Sequence, residues 1–233
     1  MTSSELAPTP RTRLKRRPQR GSFERAAIDA ILDEGFLCHV GFVHQGKACV
    51  IPTVYARAGD FLVLHGAQAN RMLRALCEPG HDACVSVTHV DGLVLARSAF
   101  HHSVNYRSVI LYGRAEEVVD AAEKHEALRM VIEHVAQGRW KDAREPNREE
   151  FQKTLVVRIP IAEGSAKIRC DGVIDDPEDL ALGCWAGIVP ITTQFGVAVP
   201  DPQLRADVPL PAYLAPYARP TLPLGPDGMK RGR

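Results

Sequence analysis

Residues 48–71 read ACVIPTVYARAGDFLVLHGAQANR, and this stretch decides the fold. It holds two short runs rich in β-branched and aromatic residues, 48–55 and 61–65, with Ala58-Gly59-Asp60 between them. A glycine in a loop of hairpin length joins antiparallel neighbours. After His65 come small residues, then a run over 70–77 with helical spacing. A strand, a small-residue loop and a helix start suit an anion, because the first helical turn offers free N–H groups and the positive end of the dipole. Arg71 and Arg74, three apart, lie on one face of that helix. An ordinary solvated helix start with surface arginines is the alternative.

The same pattern extends both ways. Ser22 is placed as the N-cap of a helix whose buried stripe is Ala27, Ile28, Ile31 and Leu32, with Gly35 at its C′ position. Strands are expected at 36–43, 83–89, 93–100, 106–115 and 154–161, and a shorter one at 166–170. Asp91-Gly92 is a hairpin signal. Asp120 and Glu123 have capping-box spacing before a helix whose apolar face is Leu128, Val131, Ile132 and Val135, and Gly138 stops it. Six or more short strands with few helices predict an antiparallel β-barrel with helical additions. Residues 21–190 would form that domain, after a basic arm at 1–20 and before a proline-rich extension at 191–233. Nine of the 17 prolines lie between Pro190 and Pro226, so the extension should be extended.

The chain is 45% hydrophobic and 24% charged over 233 residues, ordinary values that exclude wholesale disorder and disulfide scaffolds. A body of this size buries roughly 70–75% of its unfolded surface and needs no structural metal. No run of about 18 apolar residues predicts a membrane span. Residues 1–10 lack the apolar stretch of a signal peptide. Six cysteines without a C-x-x-C pair indicate a reducing, cytoplasmic compartment.

The formal net charge of +1 conceals an asymmetry: residues 1–20 carry +5, the tail from Gly228 carries +3, and the body carries −7. A basic arm on an acidic body can bind nucleic acid, fold back onto the body, or reach a bound phosphate. No aromatic residue interleaves the arm, so nucleic acid is not the expected partner.

Familiar catalytic patterns are missing. His125-Glu126 begins like a zinc-protease helix, but the second ligand position is Arg129. There is no G-x-S-x-G elbow, Walker loop or G-x-G-x-x-G. His101 and His102, adjacent on an expected strand, would face opposite sides and share no metal; no metal site is expected. Along 103–112, Tyr106 and Ser108 should share one face and Arg107 the other. Arg107 offers a bidentate phosphate contact, or the segment is simply a polar sheet face.

In these clusters the sequence resembles the pyridoxamine 5′-phosphate oxidase-like split barrels, in the flavin-nucleotide-binding and nitroimidazole-resistance-type branch. The matching pieces are Val50-Ile51-Pro52-Thr53-Val54-Tyr55, His65-Gly66 with Asn70-Arg71, and Asp91-Gly92 with Arg97-Ser98. To these add Tyr106-Arg107-Ser108-Val109, Gly113-Arg114-Ala115, and Trp185 with Gly187 and Pro190. The resemblance implies a homodimer binding FMN at the subunit interface. It implies that Val50, Ile51, Pro52, Thr53, Val54 and Tyr55 lie along the isoalloxazine ring. His65, Gly66, Asn70 and Arg71 would surround the ribityl chain and phosphate. Arg107 and Ser108 would come from a neighbouring strand, and Trp185 from the partner chain.

Three departures matter. Met72 stands where a second basic residue follows the phosphate arginine. Phe195 stands where the oxidases have an arginine, and the proline-rich tail replaces their substrate motif. Pyridoxamine phosphate oxidation is therefore not expected. The resemblance implies a flavin-dependent oxidoreductase acting on a small planar molecule, with His65, His101 and Tyr106 as acid or base candidates. A non-catalytic flavin-storage or sensing protein is one alternative. A haem-binding split barrel is another, less favoured because no histidine follows His134.

Overall fold

Antiparallel hairpins dominate, and the computed structural model describes residues 4–220. In chain order the elements are β1 (Gly21–Ser22), α1 (Arg25–Glu34), β2 (Leu37–His44), β3 (Lys47–Ala58), β4 (Phe61–Ala67), α2 (Arg71–Cys77) and β5 (Ala83–Leu95). There follow β6 (Ser103–Gly113), β7 (Glu116–Glu117), α3 (Ala121–Val135), α4 (Arg148–Lys153), β8 (Thr154–Pro160), β9 (Glu163–Arg169) and β10 (Gly187–Pro190). The sheet order is β1-β9-β6-β5-β2-β3-β4-β8-β7, with β10 added against β5, and its path does not close. The hairpin pattern predicts its antiparallel strands with helical additions, and the resemblance predicts that it is a split barrel.

The interior is filled from alternate strand positions. Leu62, Leu64, Leu111, Leu155 and Ile159 are fully buried. Each contributes about 1.5–3 kcal/mol of transfer free energy. A smaller cluster of Ala56, Val63, Val156, Ala127 and Val131 seats α3 on the sheet. Cys38 lies in the main core, and burial pushes its thiol up to about 12, so it stays a small unreactive hydrophobe.

Several expectations need correction. Ser22 does not cap α1. It pairs with Ala166 in β1, and Glu24 takes the N-cap position without a side-chain bond. Gly35 follows α1 in an extended conformation, so no left-handed turn calls for it. A Cβ there would lie 2.7 Å from the Tyr55 hydroxyl, so close approach is what calls for glycine.

Asp91-Gly92 is not a hairpin turn: β5 runs straight through it, with the register against β6 shifting between Val90 and Gly92. A bulge forms because Asp91 turns inward to Arg107 while Gly92 lies under β10, where a Cβ would sit 3.1 Å from Ile188 Cγ2. The reversal comes later, in a 3₁₀ turn at Ala99–His101 capped by Ser98, so His101 and His102 are not on a strand.

In α3, Asp120 does cap the helix, accepting from Glu123 N–H at 2.9 Å. The buried face is Lys124, Ala127 and Val131, while Ile132 is exposed. The Lys124 stem covers apolar surface while its ammonium donates to Phe151 O at 2.8 Å.

The arm takes the fold-back course. Leu6 and Thr12 are buried. Arg11 bridges Glu163 and Asp82, the latter at 2.7 Å, and Arg20 meets Asp171 at 3.2 Å. Residues 191–220 carry little regular structure, in line with their prolines. The basic residues from Gly228 onward lie outside the described residues.

Candidate functional site

The split in the sheet positions the candidate site. β3 pairs with β2 from Lys47 to Val54, then with β4 from Tyr55 to Ala58. The β3–β4 ladder stops at Tyr55–Leu64. Beyond it β4 continues beside β8 through His65, Gly66 and Ala67, while β3 continues beside β2. One edge of β3 at Val50, Ile51, Pro52, Thr53 and Val54 is thus left without a strand partner among the described residues. His65 and Gly66 lie across the gap. An unpaired strand edge exposes backbone donors and acceptors that a planar polar ring can satisfy.

The individual side chains fall into two groups. Val50 and Pro52 are exposed, and Ile51, Thr53 and Val54 are half-buried. Tyr55 is fully buried and donates to Leu32 O at 2.6 Å, so it supports the strand without facing a ligand. His65 is half-buried. Its Nδ1 is buried with no hydrogen-bond partner among the described residues, and burial pulls its pKa below the ordinary value. Gly66 leaves room for Asn70, whose Nδ2 would lie 3.0 Å from an added Cβ.

Asn70 caps α2, its Oδ1 accepting from Leu73 N–H at 3.1 Å. Arg71 is exposed on the first turn. Arg74 is not its companion, since it bonds Gln68 O at 2.8 Å and meets Glu117 at 3.2 Å. Met72 is buried in the core and does not face the groove.

Arg107 departs most from expectation. Alternation is as expected: Arg107 and Val109 face inward. The guanidinium is closed between two carboxylates, however. It reaches Asp91 through Nε at 2.9 Å and Nη2 at 2.8 Å, and Glu34 through Nη2 at 2.8 Å and through Nη1. Burial alone would lower its pKa, and the two carboxylates reverse this and raise it. Arg107 therefore ties α1 to the β5 bulge and has no fork left for a phosphate. Ser108 donates to Lys167 O at 3.3 Å within the sheet. Both lie on β6, separated from β3 by β5 and β2. Trp185 is exposed beside β10, its ring over Gly187. Phe195 packs edge-on against Tyr217 at 4.7 Å.

Sequence reasoning missed the clamp because Asp91-Gly92 reads as a hairpin signal and no local pattern marks Glu34. It also missed Arg219, whose guanidinium reaches the ends of α1 and α3, and a cleft of about 530 Å³ bounded by Arg57, Glu133, His134 and residues 217–220. Neither has a local sequence signature.

A family model described as pyridoxamine 5′-phosphate oxidase matches residues 24–168. The chain belongs to that family. Among solved structures it is similar to the flavocytochrome Anf3 from Azotobacter vinelandii, at 40% identity and a TM-score of 0.85, covering 90% of this chain and 97% of that one. It is also similar to an FAD and haem binding protein from Mycobacterium smegmatis, at 37% identity and a TM-score of 0.80, covering 84% and 96%. A protein assigned to 5-nitroimidazole antibiotic resistance in Bacteroides thetaiotaomicron shares the fold at 20% identity, with a TM-score of 0.53 over 62% and 84% of the chains. No curated protein matches. No helix among the described residues is long and apolar enough to cross a membrane.

Proposed function

We propose that this chain is a flavin- and haem-binding redox protein that works as a homodimer. One observation carries the reading: two proteins of 40% and 37% identity, each matched over nearly its whole length, are named for a flavin together with haem or cytochrome character. Haem was the less favoured alternative on sequence alone, because a C-terminal histidine was expected. The relatives move it beside the flavin.

The residues of the split fit a flavin. The free β3 edge, to which alternation turns the backbone groups of Val50 and Val54 and the carbonyl of Pro52, would bond the polar edge of the ring, and the unpartnered His65 Nδ1 would gain a partner. Arg71 would hold phosphate. We favour FAD over FMN. A terminal phosphate carries about −1.5 to −2, and of the three arginines expected at it, Arg71, Arg74 and Arg107, only Arg71 has no partner among the described residues. The relative named for FAD supports the same choice.

The flavin supplies the electron chemistry when bound. This chain's part is to orient the ring, exclude water with the apolar rim, and neutralise phosphate charge. A small planar substrate is the proposed reaction partner.

The dimer reading rests on one outward sheet face. Leu37 and Val43 of β2, Val50 of β3, Val90 of β5 and Ile110 of β6 share its register and are all exposed. Apolar rows of this extent on a sheet favour a second copy of the same surface.

An absorption spectrum of the purified protein, with mass analysis of the extracted cofactors and a size measurement, tests all parts. Flavin absorbance with a Soret band and a dimeric mass is expected. Failure to hold or take up FAD or FMN sinks the flavin reading. Bound flavin without turnover of nicotinamide donors would favour storage or sensing.

A further inference from the structure

We propose that His102 provides an axial ligand to the haem iron; this rests on the haem binding proposed above. His102 Nδ1 lies 3.0 Å from the carbonyl oxygen of Ser98. A carbonyl only accepts, so Nδ1 carries the hydrogen and Nε2 carries the lone pair. Nε2 has no partner among the described residues, and the side chain is exposed. Metal-ligating histidines are commonly held this way, with the far ring nitrogen bonded to a backbone carbonyl that fixes tautomer and direction. Donation of that lone pair to iron displaces no proton.

The anchor is itself well held. Ser98 O also accepts from His101 N–H at 3.1 Å, and Ser98 Oγ accepts from Phe100 N–H at 3.3 Å. The segment after β9 is tied to this turn at three points. Arg97 meets Asp175 at 2.7 Å, His101 meets Asp176 at 3.2 Å, and Cys184 Sγ lies 3.7 Å from Arg97 O.

Those ties bring an unusual apolar surface to the turn. Phe100 is 88% exposed, Trp185 67% and Leu180 61%. Large exposed rings cost free energy in water unless something flat and apolar covers them. A haem macrocycle has that shape and polarity.

The other histidines differ in how the ring is held. His89, His101, His125 and His134 engage Nε2 itself, with Ile31 O, Asp176, Glu145 and Gly35 O. His39, His44 and His65 have no hydrogen bond fixing the ring among the described residues. His81 Nδ1 lies 3.4 Å from Glu78 without forming a hydrogen bond. Among the described histidines, His102 alone joins a fixed ring to a free Nε2.

The test uses full-length protein loaded with hemin, read by the Soret band and by electron paramagnetic resonance of the ferric iron. His102→Ala should lose the wild-type iron-ligand signature, and added imidazole should restore it, with flavin content unchanged. His102→Met should move the signature to that of a thioether ligand. If His102→Ala keeps the wild-type spectrum, or if His39→Ala or His65→Ala abolishes it instead, the assignment is overturned while haem binding stands. If wild-type protein takes up no haem, the haem reading fails and the assignment with it.

Discussion

Arg219 and His134 meet on one backbone oxygen, that of Gly35: Arg219 Nη2 lies 2.9 Å from it and His134 Nε2 lies 2.7 Å. Gly35 O accepts from both, so His134 Nε2 carries a hydrogen, and the 3.3 Å between the two nitrogens is a meeting of donors. Arg219 also donates to Glu34 O at 2.9 Å, Asp33 O at 3.0 Å and His134 O. One guanidinium thus satisfies carbonyls at the ends of α1 and α3, where helices leave acceptors unpaired. Tyr217 adds a bond to Val135 O.

Arg219→Ala should lower unfolding free energy by about 2 kcal/mol, the scale of hydrogen bonds made by a charged group. Arg219→Lys should recover little, because an ammonium cannot spread over both helix ends. Urea denaturation measures the loss. Faster amide exchange next to Gly35 and Val135 would locate it.

The same contact sets a pH dependence. His134 titrates below the ordinary 6.5, first because it is buried and further because Arg219 and Arg57 stand nearby; its bond to Gly35 O and the charge on Asp33 oppose the shift. The folded value lies below the unfolded one, so as pH falls the unfolded chain takes up the proton first. Stability is full above 6.5 and falls as pH drops through that value toward the folded pKa. His65 shifts in the same direction through burial. His134→Gln should flatten the slope of stability against pH below 6.5, and an unchanged slope would place the effect elsewhere.

Arg107→Ala separates support from ligand binding. It would remove the guanidinium that Asp91 and Glu34 share, in a site where Arg107 is 3% exposed. Breaking one partner of a buried pair costs about 3–5 kcal/mol. The thermal midpoint should fall sharply. Loss of flavin affinity at full stability would instead return Arg107 to the phosphate.

Gly35→Ala should destabilise by about 1–3 kcal/mol through overpacking, because the new Cβ would lie 2.7 Å from the Tyr55 hydroxyl. Adding Tyr55→Phe removes that oxygen, and the double variant should recover part of the loss in a thermal melt.

Arg71→Ala should weaken flavin binding about tenfold or more, since a charged hydrogen bond to phosphate is worth about 1.5–3 kcal/mol. Stability of the flavin-free protein should not change, because Arg71 is exposed and has no ion pair among the described residues. Flavin titration with a denaturation control distinguishes the two effects.

Strand periodicity was legible because a half-buried strand repeats every two residues. The hairpin from β3 to β4, the helix start near Asn70, the Asp120 cap and the shared face of Arg107 and Val109 all followed from local pattern. The family was legible in short pieces kept in order. Asp91-Gly92 misled for a physical reason: the same dipeptide serves a turn or a bulge, and the choice depends on Arg107, sixteen residues away, and on β10. The buried stripe of α3 misled because a lysine stem can pack like an apolar residue.

By itself the sequence determined the alternating strands, the Asp120 cap and the charge asymmetry, which rest on interactions within a few residues or on patterns repeated along the chain, and its resemblance to a known family supplied the split-barrel class. Only the tertiary structure decided which arginines are free. Arg107, Arg74 and Arg219 are each taken up by groups that lie far off in sequence, or by backbone oxygens with no sequence signature, whereas Arg71 has no such neighbour among the described residues. A charge is available to a ligand only if the fold has brought it no closer partner, and that is settled by packing.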